Sequence, residues 1–297
     1  MMENDKMDNT VTNNNLAPQL YKYLHMSDEK RIEFIQRDKW IDYPLANKVL
    51  QKIEDIFNAP ISIRPKGMLL YGESYNGKTA ILKKFCRAHL PGEYTDEDGD
   101  IINMIPVVYV EAPPSSEESR ILSAILASIG VSVKYNEKVH KKEEDLLYYL
   151  KLMQTKLIII DEIHNVLHGA HTKMTQLMAS LKSLSNKSGI PMILAGTENA
   201  LAAVTIDAQT KSRFKPYELK PWENDETFGR FVATFEAMLP LKNASNLYMN
   251  KKLLAELYAA SGGALGETLN ILQTAAIAAI RNKNEKITIE EIQTALS

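Results

Sequence analysis

Apolar and polar positions along this chain follow two different periods. Met68-Leu69-Leu70-Tyr71, Val107-Val108-Tyr109-Val110, Leu157-Ile158-Ile159-Ile160 and Ile190-Pro191-Met192-Ile193-Leu194-Ala195 are short, nearly unbroken apolar runs. Such runs read as strands buried on both faces. Phe214 to Leu219 is a further strand-like piece. Between them apolar residues recur at helical spacing: Leu45 to Phe57, Ile81-Leu82-Phe85, Glu117 to Ile129, Asp145 to Met153, and Met174 to Ser185. Gln19 to Arg37 has the same spacing, with Ser27 as cap of its second helix. Pro91 to Asn103 is acidic and reads as a surface loop. From Pro221 onward the pattern is helical only: Asp225 to Leu239, Lys251 to Ala260, Glu267 to Ile280 and Ile289 to Leu296. The alternation predicts an α/β fold, a parallel sheet flanked by helices with a small C-terminal helical lid. Expected boundaries are a disordered N-terminal tail over 1–16, a helical arm over 17–60, the α/β core over 61–220 and the lid over 221–297.

Composition narrows the class. The 297 residues are 45% hydrophobic and 24% charged, enough to bury a sizeable core. A formal charge of −2 gives no global basic field, so any nucleic-acid contact has to be local. The single cysteine, Cys86, excludes an internal disulfide. No apolar run reaches membrane-spanning length and the polar N-terminus is no signal peptide, which predicts a cytoplasmic protein with no membrane partner.

The chemistry sits where strands end. Gly72-Glu73-Ser74-Tyr75-Asn76-Gly77-Lys78-Thr79 fits G-x-x-x-x-G-K-[ST] and lies between a strand and a helix that opens with Ala80. Gly72 and Gly77 allow a tight turn whose N–H groups point inward, and the new helix offers its positive end to phosphates. In such a loop Lys78 reaches the β- and γ-phosphates of ATP and the Thr79 hydroxyl holds Mg²⁺. Asp161 and Glu162 follow four aliphatic residues, at the carboxyl end of a strand, where open α/β sheets bind ligands. There Asp161 can hold the Mg²⁺ shell and Glu162 can orient the attacking water, which predicts an ATPase. Ile41 and Tyr43 either flank the adenine base or pack the N-terminal arm. His164, His168 and His171 lack cysteine companions and read as a solvated turn rather than a metal site.

This layout resembles an AAA+ P-loop NTPase. The resemblance implies that Thr197, closing a strand in Ala195-Gly196-Thr197, reads the γ-phosphate. It also implies that Arg213, in Ser212-Arg213-Phe214, is an arginine finger acting on the nucleotide of a neighbouring subunit. Trp40-Ile41-Asp42-Tyr43-Pro44, Ile160-Asp161-Glu162-Ile163-His164-Asn165 and Asp207-Ala208-Gln209 through Arg213-Phe214 to Trp222 are similar to the TniB/TnsC family of transposition regulators. That similarity implies ATP-dependent homo-oligomers, as rings or helical filaments on duplex DNA. It further implies target-site selection, recruitment of a DDE transposase and a TniQ-type targeting partner. The alternative is a replication initiator or helicase loader of related design. Ser261-Gly262-Gly263-Ala264-Leu265-Gly266-Glu267 departs from the pattern, with Glu267 where a lid sensor arginine is expected. DNA-backbone contacts are expected from two connections, carrying Ser115, Ser116, Ser119 and Arg120, and Lys134 and Lys138; a solvated surface is the other reading of both.

Overall fold

The computed structural model describes residues 13–115, 117–134, 136–167, 171–205 and 208–297. The strands are β1 (Gly67–Tyr71), β2 (Gly92–Thr95), β3 (Ile101–Met104), β4 (Val107–Glu111), β5 (Leu157–Asp161), β6 (Met192–Gly196) and β7 (Phe214–Glu218). Helices α1 (Tyr21–Leu24), α2 (Asp28–Gln36), α3 (Pro44–Phe57) and α4 (Lys78–Ala88) come first. They are followed by α5 (Glu118–Ser128), α6 (Val139–Leu152), α7 (His171–Ser188), α8 (Glu198–Val204) and α9 (Ala208–Arg213). The chain closes with α10 (Glu226–Glu236), α11 (Lys251–Ser261), α12 (Leu265–Arg281) and α13 (Ile289–Leu296). Two compact units result. One is Pro44–Lys220, and the other joins the N-terminal segment up to Tyr43 to Pro221–Ser297.

In the first unit five parallel strands lie in the order β4-β5-β6-β1-β7. Every residue of β5 and β6 is buried, which explains their aliphatic runs: side chains on both faces meet helices. Ile121, Ile125, Leu146, Leu150, Leu177 and Leu181, from α5, α6 and α7, join the strand residues in the core. At the β7 edge Pro216 sits opposite Leu69; a residue without an N–H is tolerated there because an edge strand pairs on one side only. The stretch Pro91–Asn103 is not a plain loop. It contains the antiparallel hairpin β2–β3, turned through Asp96, whose carboxylate accepts the Asp98 and Asp100 N–H groups at 3.1 and 2.8 Å. No described helix is long and apolar enough to cross a membrane.

The second unit is helical. Phe228, Phe231, Val232 and Phe235 of α10 and Ile271, Leu272, Ala275 and Ala279 of α12 are buried. Asp225 caps α10 by accepting from the Thr227 and Phe228 N–H groups, and Thr288 and Glu291 form a capping box on α13. Gly263 is obligatory at its turn: φ is +76°, and a Cβ there would lie 2.4 Å from the Trp222 carbonyl oxygen. Of the stretch 1–16, residues 1–12 lie outside the described residues. Asn13 and Leu16 are buried; the Asn13 amide donates to the Leu241 carbonyl at 2.8 Å, and Leu16 clusters with Leu20 and Leu24.

Candidate nucleotide-binding site

Strand order assembles the site. The phosphate loop follows β1, Asp161 and Glu162 end β5, and Thr197 ends β6, the strand between those two. Three motifs far apart in sequence therefore open side by side at the carboxyl edge of the sheet.

The loop is pinned to the ends of β6 and β7. The Gly72 N–H donates to the Gly196 carbonyl at 3.3 Å, and the buried Asn76 amide donates to the Leu219 carbonyl at 2.6 Å. A Cβ on Gly72 would lie 2.4 Å from that same Leu219 oxygen, so only glycine lets the loop pack this closely. Gly77 starts α4 with φ at 87°. Glu73, Ser74 and Tyr75 form the exposed crest, Tyr75 in left-handed backbone, and Ala80 is exposed on the first turn of α4. Lys78 is buried and donates to the loop carbonyls of Gly72 at 3.0 Å and Glu73 at 2.6 Å. Burial lowers the pKa of its ammonium, and the carboxylates of Glu162, Asp161 and Glu73 oppose that shift.

Thr79 Oγ1 donates to Asp161 Oδ2 at 2.7 Å, so the two expected Mg²⁺-holding groups are already in contact. A third residue joins them, one that lies outside both motifs. The Tyr109 hydroxyl donates to the same Asp161 oxygen at 2.8 Å. Burial first, and then the Asp161 carboxylate, raise the Tyr109 pKa, which keeps it a neutral donor. Tyr109 and Glu111 share one side of β4, and Glu111 pairs with Asp161, so it is the pairing of β4 with β5 that brings the tyrosine to this carboxylate. The donor set fits a hard divalent cation, with carboxylate and hydroxyl oxygens converging at one point.

Glu162 has left-handed backbone, φ 53°, and its N–H donates to Asp161 Oδ1 at 2.8 Å. His164 Nδ1 lies 3.2 Å from Glu162 Oε2 without the alignment of a hydrogen bond. His168 and the His171 side chain lie outside what is described, and no cluster of three or more metal-ligating side chains occurs among the described residues. Thr197 Oγ1 is buried with no hydrogen-bond partner among the described residues. An orphaned hydroxyl at the mouth of a phosphate loop is what a γ-phosphate sensor needs.

Arg213 is elsewhere. Phe214 pairs with Gly67, at the amino end of β1, so Arg213 lies a full strand length, about 16 Å, from the carboxyl edge. It is buried; its guanidinium donates to the Pro65 carbonyl and, at 2.5 Å, to Asn186 Oδ1. Ile41 and Tyr43 belong to the helical unit and are buried there, with the Tyr43 ring tilted against Trp222 and edge-on to Phe231, ring centres 5.2 and 6.0 Å apart. The two candidate DNA-contact segments meet: Lys142 Nζ donates to Ser119 Oγ at 2.9 Å, joining the first turns of α5 and α6. Arg120 is exposed and paired with Glu117 at 3.2 Å, Ser115 is half-buried, and Lys134 and Lys138 are exposed. Ser116 lies outside the described residues.

Several solved structures share the fold. An Orc1 protein of Aeropyrum pernix in complex with DNA is 16% identical with TM-score 0.57, over 89% of this chain and 68% of that one. Cdc6p from Pyrobaculum aerophilum is 15% identical with TM-score 0.57, over 91% and 70%. A chain of Drosophila ORC bound to DNA is 14% identical with TM-score 0.59, over 92% and 66%. At these identities the likeness is one of fold, an AAA+ P-loop NTPase core with a helical C-terminal region. No curated protein sequence matches the chain. The sequence profile of the bacterial TniB protein matches residues 31–224, most of the chain, and the protein belongs to that family.

Proposed function

We propose that this protein is an ATPase that assembles on duplex DNA when it binds ATP, and that the assembly marks a target site and recruits a DDE transposase, with a TniQ-type protein as a further partner. Membership of the TniB family supports the transposition role. The observation that carries the ATP-dependent assembly is the opposed placement of two half-sites on one sheet. The cradle of Gly72, Lys78, Thr79 and Asp161 lies at the carboxyl edge, and Arg213 lies at the amino edge. A guanidinium on that side cannot reach its own nucleotide, but it can complete the site of a copy stacked head to tail.

Each residue then has a role. Backbone N–H groups of the loop and Lys78 hold the β- and γ-phosphates, in exchange for the carbonyls that Lys78 contacts at present. Thr79 and Asp161 would hold Mg²⁺, which when bound screens the phosphate charge. Glu162 orients water and accepts its proton, Thr197 donates to the γ-phosphate, and Arg213 stabilises charge on the neighbour's phosphate. The backbone of the duplex is met by Ser115, Ser116, Ser119, Arg120, Lys134 and Lys138, each weakly, with many subunits acting together.

Electron microscopy with duplex DNA and a non-hydrolysable ATP analogue tests this reading. Wild-type protein should form rings or filaments. Lys78→Ala loses charge-assisted bonds of about 1.5–3 kcal/mol, so its ATP affinity should fall about 10- to 100-fold and assembly should fail at matched nucleotide. Wild-type protein that stays monomeric with both ligands present would refute the proposal.

A further inference from the structure

The α/β unit is electrically lopsided along its strands. Carboxylates gather at the carboxyl ends: Glu111 closes β4, Asp161 and Glu162 close β5, Glu198 follows β6 and Glu218 closes β7. Cations precede the amino ends: Lys156 before β5, Arg64 and Lys66 before β1, and Arg213 before β7. Three of these cations converge with Lys182 of α7. Arg64, Lys66, Lys182 and Arg213 line a cavity of about 310 Å³ together with Asn186, Gln209 and Ser212, and no carboxylate lines it among the described residues.

Such a cluster is costly without an anion. Arg213 is held below its ordinary pKa by burial and by the Arg64 charge beside it. Among the described residues Lys182 donates to a neutral amide oxygen, that of Gln209, at 3.3 Å. Arg213 donates to the Pro65 carbonyl and so fixes the peptide between Arg64 and Lys66, both exposed and without an acidic partner among the described residues. Beside them Ile61 and Ile63, in the same loop, are 94% and 88% exposed. These two side chains lie within three residues of Arg64 on the same loop, so a surface that meets the basic cavity would also cover them.

Resting on the function proposed above, we infer that this cavity is a phosphate-binding half-site in which Arg64 and Lys182 act beside Arg213, and that its ligand is the terminal phosphate of the nucleotide held by a second copy of this chain. The second copy fits because its carboxylate-rich edge complements this cation-rich one, and because all five strands are parallel. Translation along the strand direction brings unlike edges together, a heterologous contact that propagates. Beside Arg213, a point-charge lysine and a second fork-shaped arginine would add donors for the oxygens of the terminal phosphate that face the neighbour.

Complementation between two inactive variants tests the inference. In assemblies of the double variant Arg64→Ala/Lys182→Ala every cradle faces a depleted neighbour, and DNA-stimulated turnover should fall at least about tenfold. Glu162→Gln assembles but lacks its own water-orienting carboxylate. Mixing the two should restore turnover, since an intact cradle then meets an intact basic edge. Unchanged turnover by the assembled double variant overturns the inference and leaves the proposed function standing, as does an inactive mixture whose two components co-assemble. Loss of nucleotide-free DNA binding by the double variant, with turnover per assembled subunit intact, would instead assign these cations to the duplex backbone. Failure of wild-type protein to assemble overturns both readings.

Discussion

At the scale of single residues, one carboxylate organises the site. Asp161 Oδ2 accepts from both Thr79 and Tyr109, and Asp161 Oδ1 accepts from the Glu162 N–H. Two donors on one oxygen fix the carboxylate plane before any ligand arrives, which is the preorganisation a cation site needs. Thr79, Asp161 and Glu162 were legible because their motifs are local. Tyr109 was not, since its role depends on β4 pairing with β5, and no spacing in the chain records that pairing. Tyr109→Phe keeps the ring and removes only the hydroxyl. The Mg²⁺ concentration for half-maximal ATP hydrolysis should rise about tenfold, with little change in the urea midpoint. Because burial and Asp161 both raise the Tyr109 pKa, the defect should be the same from pH 6 to pH 9. A magnesium titration that matches wild type would remove Tyr109 from the site.

At the scale of elements, the strongest apolar patterns were the most readable. The runs in β1, β5 and β6 and the helical spacing of α10 and α13 follow directly from what those elements bury. The hairpin β2–β3 escaped because its two strands are half-exposed to exposed throughout and carry no apolar stripe. Arg31 escaped for the opposite reason. It is fully buried and bonds Glu285 twice, at 2.6 and 2.7 Å, and that partner lies 254 positions away in the sequence. Asp28 adds a third contact at 2.7 Å, and Lys283 pairs with Asp28. This network ties α2 to the turn between α12 and α13. Arg31→Ala strands the Glu285 carboxylate, so urea unfolding should show a loss of about 3–5 kcal/mol. The network also gives acid sensitivity. Lys283 and Arg31 hold the Asp28 pKa down at about 2, against 3.8 for the free group. A folded value below the unfolded one contributes stability above pH 3.8, which is lost as pH falls from there toward 2. Asp28→Asn should flatten that part of the stability curve; an unaltered slope would mean that the pairing does not persist in solution.

At the scale of the whole molecule, a net charge of −2 conceals a dipolar arrangement in the α/β unit, basic before its strands and acidic after them. Composition alone could not reveal it, because opposite charges cancel in the sum and separate only when the parallel sheet sorts them. In the assembly proposed here the same contacts hold nucleotide and neighbour together, so chemistry at Glu162 should control how long an assembly lasts. Among the described residues Glu162 makes no hydrogen bond to Lys78 or Thr79; its backbone bonds Asp161 and its carboxylate lies beside His164. Glu162→Gln should therefore keep ATP affinity within about threefold while turnover falls about 100-fold or more, the range expected for loss of a general base. If hydrolysis is what loosens the interface, assemblies of this variant on DNA should outlast wild-type assemblies after dilution into ATP, and light scattering would follow both decays. With a non-hydrolysable analogue the two proteins should decay alike, since neither can then turn over. Equal lifetimes in ATP itself would mean that release of the neighbour does not wait on the chemistry, and the coupling between the two edges of the sheet would have to be abandoned.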